Sequence, residues 1–237
     1  MSSSFKFKQF TIHQDRCAMK IGTDGVLLGA WVSLDKSPQS ILDIGAGTGV
    51  IALQLAQRSF SEIIDAVEID SDAFEQCVEN FEASDWGDRL FCYHASVEEL
   101  ADEVEEQYDL IVSNPPFYTD EFKSDNAARD QARSTDALPF NTLLKSVSLL
   151  LSETGQFSVI IPRKEEASFV EMAFAYGLYP IRICRVKGTI TSEEKRSMLE
   201  FSFKKQPAII DELIIEISRH QYTDAYINLV KDFYLKM

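Results

Sequence analysis

The sequence lacks the features that mark a disulfide-stabilised, zinc-binding or membrane-spanning protein. Its four cysteines are scattered among 237 residues, with no CxxC pair and no histidine at metal-ligand spacing. This distribution is typical of reduced, packed thiols. No apolar run reaches the roughly 20 residues that a membrane span needs, and MSSSFKFKQF lacks the apolar stretch of a secretory signal. We therefore expect a cytoplasmic protein with no metal and no membrane partner.

Positive charge is also scarce, since 23 lysines and arginines face 38 acidic residues for a net charge of −15. Such a balance at first argues against nucleic acid, whose phosphates attract basic surfaces. The acidity is nevertheless confined to residues 58–125, which hold 20 acidic and 3 basic residues. Residues 126–205 hold 12 basic and 9 acidic residues. The global charge therefore does not exclude RNA as a ligand.

Apolar and helical segments alternate along most of the chain. The predicted strands are ILDI, IIDAVEID, RLFCYHA, YDLIVSNPPF and QFSVIIP. Helical segments separate them; one has Ser71 as its expected N-cap, and another is a long helix expected to end at Gly155. Strands joined by helical crossovers form a parallel sheet with helices on both faces. The predicted class is α/β, with a Rossmann-like architecture.

The pattern changes after Gly177, where YPIRICRV and SMLEFSFKK follow one another without a helix between them. Two strands joined in this way are antiparallel. There is no internal repeat and no low-complexity linker. We therefore expect one domain over residues 1–237, made of an N-terminal segment (1–38), a core (39–205) and a C-terminal extension (206–237).

A glycine-rich turn, Asp43-Ile44-Gly45-Ala46-Gly47-Thr48-Gly49, follows the first strand of the core. Its GxGxG spacing differs from the GxGxxG of nicotinamide-dinucleotide sites. Glycines let a ligand lie against main-chain N–H groups. S-adenosylmethionine carries no phosphate, and its amino group needs an acceptor that Asp43 could supply. The alternative is a purely structural turn.

Glu68 ends the second strand of the core, 19 positions after Gly49. A carboxylate at this place can accept hydrogen bonds from both hydroxyls of a ribose. The alternative is an acid that stabilises the dipole of the next helix. Asp70 is better placed for that second duty, so the two acids could divide the work.

Asn114-Pro115-Pro116-Phe117 directly follows the fourth strand. The prolines fix two φ angles and donate no hydrogen bonds, which leaves carbonyl groups free. The Asn114 side chain and the Pro115 carbonyl offer two acceptors for an exocyclic NH₂ group. Phe117 offers a face on which a planar base can stack. The alternative is a strand that ends at a proline beside a buried aromatic ring.

In this order and at these intervals, DIGAGTG, VEID and DLIVSNPPF resemble the class I amino-methyltransferases of the NPPY/F type. QFTIHQDRCAMKIGTDGVLLGAW and KDFYLKM look like the bacterial tRNA (adenine-N6) methyltransferases that modify adenosine 37 of a valine tRNA. The resemblance implies a seven-stranded, mostly parallel sheet with an antiparallel last strand pair. It also implies S-adenosylmethionine as cofactor, S-adenosylhomocysteine as product, a tRNA partner and a monomer.

The resemblance assigns the site residue by residue. It places Asn114, Pro115 and Phe117 at the base. Many class members contact the cofactor adenine through an acidic residue after the third strand, where this chain has His94-Ala95-Ser96. Backbone N–H groups or Ser96 Oγ are the expected substitutes. Lys20 and Gly22 lie in the segment that closes over the cofactor. The expected cofactor-binding residues are Lys20, Gly22, Asp43, Gly45, Gly47, Glu68, Ala95, Ser96 and Asn114.

Other functions stay open at this point. A guanine-N2 RNA methyltransferase and a protein-glutamine methyltransferase also act on planar nitrogens, although the latter carries a helical N-terminal domain for which about 40 residues are too few. A non-catalytic cofactor-binding regulator would not need the NPPF loop. The cations that could contact phosphates are Arg129, Arg133, Arg163, Lys164, Arg182, Arg185, Lys187, Lys195 and Arg196.

Overall fold

One large β-sheet runs through the molecule, and helices pack against both of its faces. The computed structural model describes residues 4–116 and 138–237. The strands are β1 Ser4–Lys6, β2 Thr11–His13, β3 Ser40–Ile44, β4 Ile63–Glu68, β5 Leu90–His94, β6 Tyr108–Ser113, β7 Leu151–Pro162, β8 Tyr179–Thr189, β9 Glu194–Ser202, β10 Ile209–Ser218 and β11 Gln221–Tyr222. The helices are α1 Thr23–Trp31, α2 Val50–Arg58, α3 Ser71–Glu82, α4 Val97–Glu103, α5 Phe140–Leu150, α6 Glu166–Phe174 and α7 Asp224–Val230, with a 3-10 turn at Arg163–Glu165.

The strand order of the large sheet is β11-β10-β8-β9-β7-β6-β3-β4-β5. The neighbours from β7 to β5 are parallel, as helical crossovers require. β9 is antiparallel to both β7 and β8. This confirms a mostly parallel sheet with an antiparallel pair after the helical repeats. The sheet exceeds the expected seven strands because β10 of the C-terminal extension pairs in parallel with β8, and β11 pairs with β10.

Two local predictions were wrong. The helix expected to reach Gly155 ends at Leu150, and the next residue already begins β7. Leu151 pairs with Tyr108 of β6, so tertiary pairing overrides the helical character of the leucine run. The N-cap of α3 is Asp70, whose carboxylate accepts a hydrogen bond from Ala73 N at 2.8 Å.

Buried apolar side chains form one cluster on each face of the sheet. The first cluster joins α1, α2 and α3 to the N-terminal hairpin and α7. The second joins α4, α5 and α6 to the other face. Within residues 4–116 and 138–237, none of the helices has the length and apolar character needed to cross a membrane.

The two ends of the chain are joined to each other. The hairpin β1–β2 contacts the last residues through a backbone bridge between Phe7 and Tyr234, and Lys8 N donates to Phe233 O at 2.8 Å. The rings of Phe7 and Tyr234 lie 5.9 Å apart. These contacts support our proposal that residues 1–237 form a single domain.

Candidate active site

Three of the predicted motifs meet at one edge of the sheet. β3 lies between β4 and β6, and Ile44 at its end pairs with both Val67 and Ser113. Because the three strands are parallel, the residues that follow each of them emerge on the same side. The glycine-rich turn, Glu68 and Asn114 are thereby brought together.

The glycine-rich turn needs its glycines for two different reasons. Gly45, Gly47 and Gly49 all have positive φ angles, of 72°, 54° and 77°. A Cβ atom on Gly49 would lie 2.5 Å from a ring carbon of Phe81, so this glycine lets the turn pack on α3. A Cβ on Gly45 or Gly47 would meet nothing within 4 Å. These two glycines therefore border open space, as residues beneath a ligand must.

Asp43 is fully buried at the end of β3. Its Oδ2 atom accepts a hydrogen bond from Ala52 N at 3.1 Å, in the first turn of α2. Its Oδ1 atom has no partner in the described part of the chain. Burial raises the pKa of Asp43 to about 7, and the negative charge of Glu68 adds to the shift. An unpartnered buried carboxylate oxygen suits a cationic amino group.

Glu68 joins the turn to the start of α3. Its Oε2 atom accepts from Gly47 N at 2.8 Å, and its Oε1 atom accepts from Asp70 N at 2.9 Å. Each carboxylate oxygen keeps a further lone pair, so the half-buried side chain can still accept hydrogen bonds from two hydroxyl groups. Asp70 caps α3, so Glu68 is not needed for that cap.

The segment from Gln14 to Gly22 runs beside Glu68. Cys17 is buried, and burial together with the charges of Glu68 and Asp70 raises the pKa of Cys17 to about 12. Gln14 Oε1 accepts from Ile21 N at 2.9 Å and so folds the segment back on itself.

Lys20 and Gly22 stand at the end of this segment. Both are exposed, and a Cβ on Gly22 would meet nothing within 4 Å. Gly22 is the N-cap of α1. Asp24 accepts a hydrogen bond from Arg196 Nε at 2.7 Å.

Asn114 and Pro115 follow β6 directly. Ser113 Oγ donates to Ile44 O at 2.9 Å and holds the ends of β6 and β3 together. Asn114 is half-buried and Pro115 is buried. The Asn114 side chain lies beside α1, because a Cβ on Gly25 would be 3.8 Å from Asn114 Nδ2. Phe117 lies outside the described residues, as do Arg129 and Arg133.

Comparison with known proteins decides the family. The methyltransferase small domain matches residues 26–175. The chain belongs to that family. A tRNA1(Val) (adenine(37)-N6)-methyltransferase of Christiangramia forsetii is 60% identical over 235 residues and 98% of both chains. One of Flavobacterium johnsoniae is 61% identical over 234 residues, which cover 98% of this chain and 100% of the relative.

The fold agrees with this membership. A crystal structure of a predicted O-methyltransferase from Agrobacterium tumefaciens superimposes with a TM-score of 0.64, covering 89% of this chain and 96% of that one. At 19% identity the likeness concerns the fold alone. The chain is thus a methyltransferase with the class I architecture, and the recognition made from its motifs is confirmed.

The sequence did not reveal one exposed apolar residue beside Glu68, namely Ile69. Ile69 follows Glu68 directly, yet its side chain is 61% exposed. His94 Nε2 lies 3.1 Å from Ile69 O, and the His94 ring stacks on Phe74 at 5.2 Å. An exposed isoleucine directly after Glu68 is the signal in VEID.

The expected substitutes for an adenine-binding acid are already engaged. Ala95 N donates to Glu68 O at 3.2 Å, and Ser96 N donates to Glu99 Oε2 at 2.8 Å. Ser96 Oγ also caps α4, accepting from Glu99 N at 3.1 Å and donating to Glu99 Oε2 at 2.9 Å. One lone pair of Ser96 Oγ is left, so an adenine contact from Ala95 or Ser96 stays a prediction.

Most cations considered for phosphate contacts are paired with acids. Arg182 lies toward the start of β8, at the opposite end of the sheet, where it covers the Trp31 ring at 3.7 Å and donates to Trp31 O at 2.7 Å. The pairs at the site edge are Arg163 with Glu194, Arg185 with Glu166, Lys187 with Glu212 and Arg196 with Asp24. Lys164 and Lys195 are exposed. At this edge, therefore, the charges of the four paired cations are largely neutralised by neighbouring acids.

Proposed function

We propose that this methyltransferase transfers a methyl group from S-adenosylmethionine to N6 of an adenine in tRNA, namely adenosine 37 of a valine tRNA. The observation that carries the proposal is the meeting of Asp43, Glu68 and Asn114 at one edge of the sheet. The names of the two relatives at 60% and 61% identity support the tRNA substrate. A tRNA substrate also favours a cytoplasmic location.

The residues present fit the cofactor. Gly45 and Gly47 leave room against the main chain. The unpartnered Oδ1 of Asp43 would accept from the amino group, and Glu68 would hold the ribose hydroxyls. When bound, S-adenosylmethionine supplies an electrophilic methyl group on a sulfonium. We propose that no metal takes part, since an activated methyl needs no Lewis acid.

The amine pocket would bind the exocyclic amine through two hydrogen-bond acceptors. Asn114 Oδ1 and the Pro115 carbonyl would accept hydrogen bonds from the two N–H groups of the exocyclic amine and orient its nitrogen toward the methyl group. These hydrogen bonds strengthen as the nitrogen becomes cationic, so they stabilise the transition state more than the bound substrate. The proton leaves after transfer, and no titrating base is required. We propose that Phe117 stacks on the displaced base, which is cheapest to extrude from an exposed loop.

Labelled cofactor and unmodified total tRNA provide the decisive experiment. After incubation, the methylated nucleoside is identified by digestion and chromatography. The expected product is N6-methyladenosine in a valine tRNA. N2-methylguanosine would instead indicate a guanine-N2 enzyme, and labelled glutamine in added release factor would indicate a protein substrate. Cofactor binding without any methylated product would favour a regulator.

A further inference from the structure

The first turn of α1 forms one wall of the amine pocket. A methyl group on Gly25 would lie 3.8 Å from Asn114 Nδ2 and 3.3 Å from Val50 Cγ1. A methyl group at residue 25 would therefore be in van der Waals contact with the Asn114 amide and tight against Val50. Any movement of this turn changes the space in which the amide can rotate.

No local cap holds this turn in place. Gly22 is the N-cap residue and makes no side-chain hydrogen bond to the helix. The first N–H groups of a helix have no partner within it, and glycine offers them no side-chain acceptor. Contacts from elsewhere in the fold therefore contribute to holding this turn.

A half-buried ion pair between Asp24 and Arg196 supplies such a contact. Arg196 Nε donates to Asp24 Oδ2 at 2.7 Å, and the two side chains are 33% and 29% exposed. Arg196 lies in β9, where its backbone pairs with Pro162 of β7 on one side and Val186 of β8 on the other. The anchor is thus a paired strand, and a charge-assisted bond of this length is among the stronger hydrogen bonds.

We propose that Asp24 and Arg196 are positioning residues for the methyl transfer, because their ion pair fixes the first turn of α1 against Asn114. The inference rests on the function proposed above. Neither side chain has to touch the reacting atoms, since each acts through the position of the helix. Breaking the pair should therefore lower kcat more than it weakens cofactor binding.

A double-mutant cycle tests this coupling. Asp24→Ala and Arg196→Ala should each lower kcat about tenfold at saturating tRNA and cofactor, and the double variant should lose little more than either single one. The reversed pair, Asp24→Arg with Arg196→Asp, should recover part of the loss. The Kd of the cofactor, measured by calorimetry, should change less than about threefold, which separates positioning from binding.

Two controls distinguish positioning from other roles. Arg89→Gln removes hydrogen bonds to Ala56 O, Ser59 O and Ser61 O at the opposite end of the sheet. It should lower Tm and leave kcat unchanged. If Arg196 served only to hold RNA, Asp24→Ala would leave its guanidinium in place and kcat would not fall. That result, or multiplicative losses in the double variant, would overturn the proposal.

Amide hydrogen exchange provides a measurement that needs no activity. Asp24→Ala should speed the exchange of residues 23–28 in the cofactor-free protein, relative to wild type and to Arg89→Gln. Unchanged exchange would refute the tether even if the wild-type protein methylated no tRNA. Absence of methylation in the wild type, with faster exchange in the variant, would refute the proposed function alone.

Discussion

Replacement of Glu68 offers the sharpest test of the cofactor site. In the free protein its carboxylate accepts hydrogen bonds from Gly47 N and Asp70 N, one on each oxygen. Glu68→Gln keeps the shape but turns one oxygen into an NH₂ group, which then faces a backbone N–H donor. One acceptor for the ribose hydroxyls is lost as well. Glu68→Ala removes both acceptors.

The expected magnitude follows from those contacts. A hydrogen bond to a charged group contributes about 1.5–3 kcal/mol, and a typical one about 0.5–1.5 kcal/mol. We expect Glu68→Ala to weaken cofactor binding by about 1–3 kcal/mol, which is roughly 5- to 150-fold in Kd. Glu68→Gln should lie between wild type and Glu68→Ala, because one oxygen still accepts.

Isothermal titration of S-adenosylmethionine or S-adenosylhomocysteine provides the assay. The matched control is Glu82→Gln, which removes an exposed acid at the end of helix α3. It should bind like wild type. An unchanged Kd in Glu68→Ala would remove Glu68 from the site and return it to a purely structural role.

Four further outcomes are expected. Asn114→Ala should lower kcat on the tRNA about a hundredfold, as methylation assays can show, while the Kd of the cofactor stays nearly constant. A near-normal kcat in this variant would refute the proposed amine pocket. Because the pKa of Asp43 is raised to about 7, its charge is lost as pH falls through that value. Cofactor affinity should therefore drop about tenfold from pH 8 to pH 6, and Asp43→Asn should bind weakly with a flat profile. Gly49→Ala combines a φ of +77° with a ring contact at 2.5 Å, so Tm should fall by about 5 °C or more in calorimetry. Charge reversal at Lys164 or Lys195 should weaken tRNA binding and reduce its salt dependence, whereas reversal of exposed acids on α3 should not.

The parallel part of the fold could be predicted because its signals are local. Apolar runs that alternate with helical segments imply crossovers, and crossovers imply parallel neighbours. The start of β7 could not be predicted, since Leu151 becomes a strand residue only through its pairing with Tyr108. The two strands added by the C-terminal extension likewise depend on a free sheet edge at β8.

Some features of the candidate site could likewise be predicted from the sequence, and others could not. The meeting of Asp43, Glu68 and Asn114 could be predicted because each lies at or directly after the carboxyl end of a strand, and parallel strands gather such residues at one edge. The pair of Asp24 and Arg196 could not, because it joins residues 172 positions apart through the register of an antiparallel strand. Arg182 was grouped in the sequence with cations that could contact phosphates. In the structure it lies near the start of β8, at the end of the sheet opposite the site, and packs against Trp31.

The contact between the two ends of the chain has a consequence for biosynthesis. The N-terminal hairpin packs on Phe233 and Tyr234, which are synthesised long after it. During synthesis the hairpin therefore cannot dock until these residues are made, whereas the parallel core can already assemble. A nascent chain stalled before residue 233 would hold its glycine-rich turn in place beneath an unanchored N-terminal hairpin. Docking of the hairpin therefore follows assembly of the parallel core.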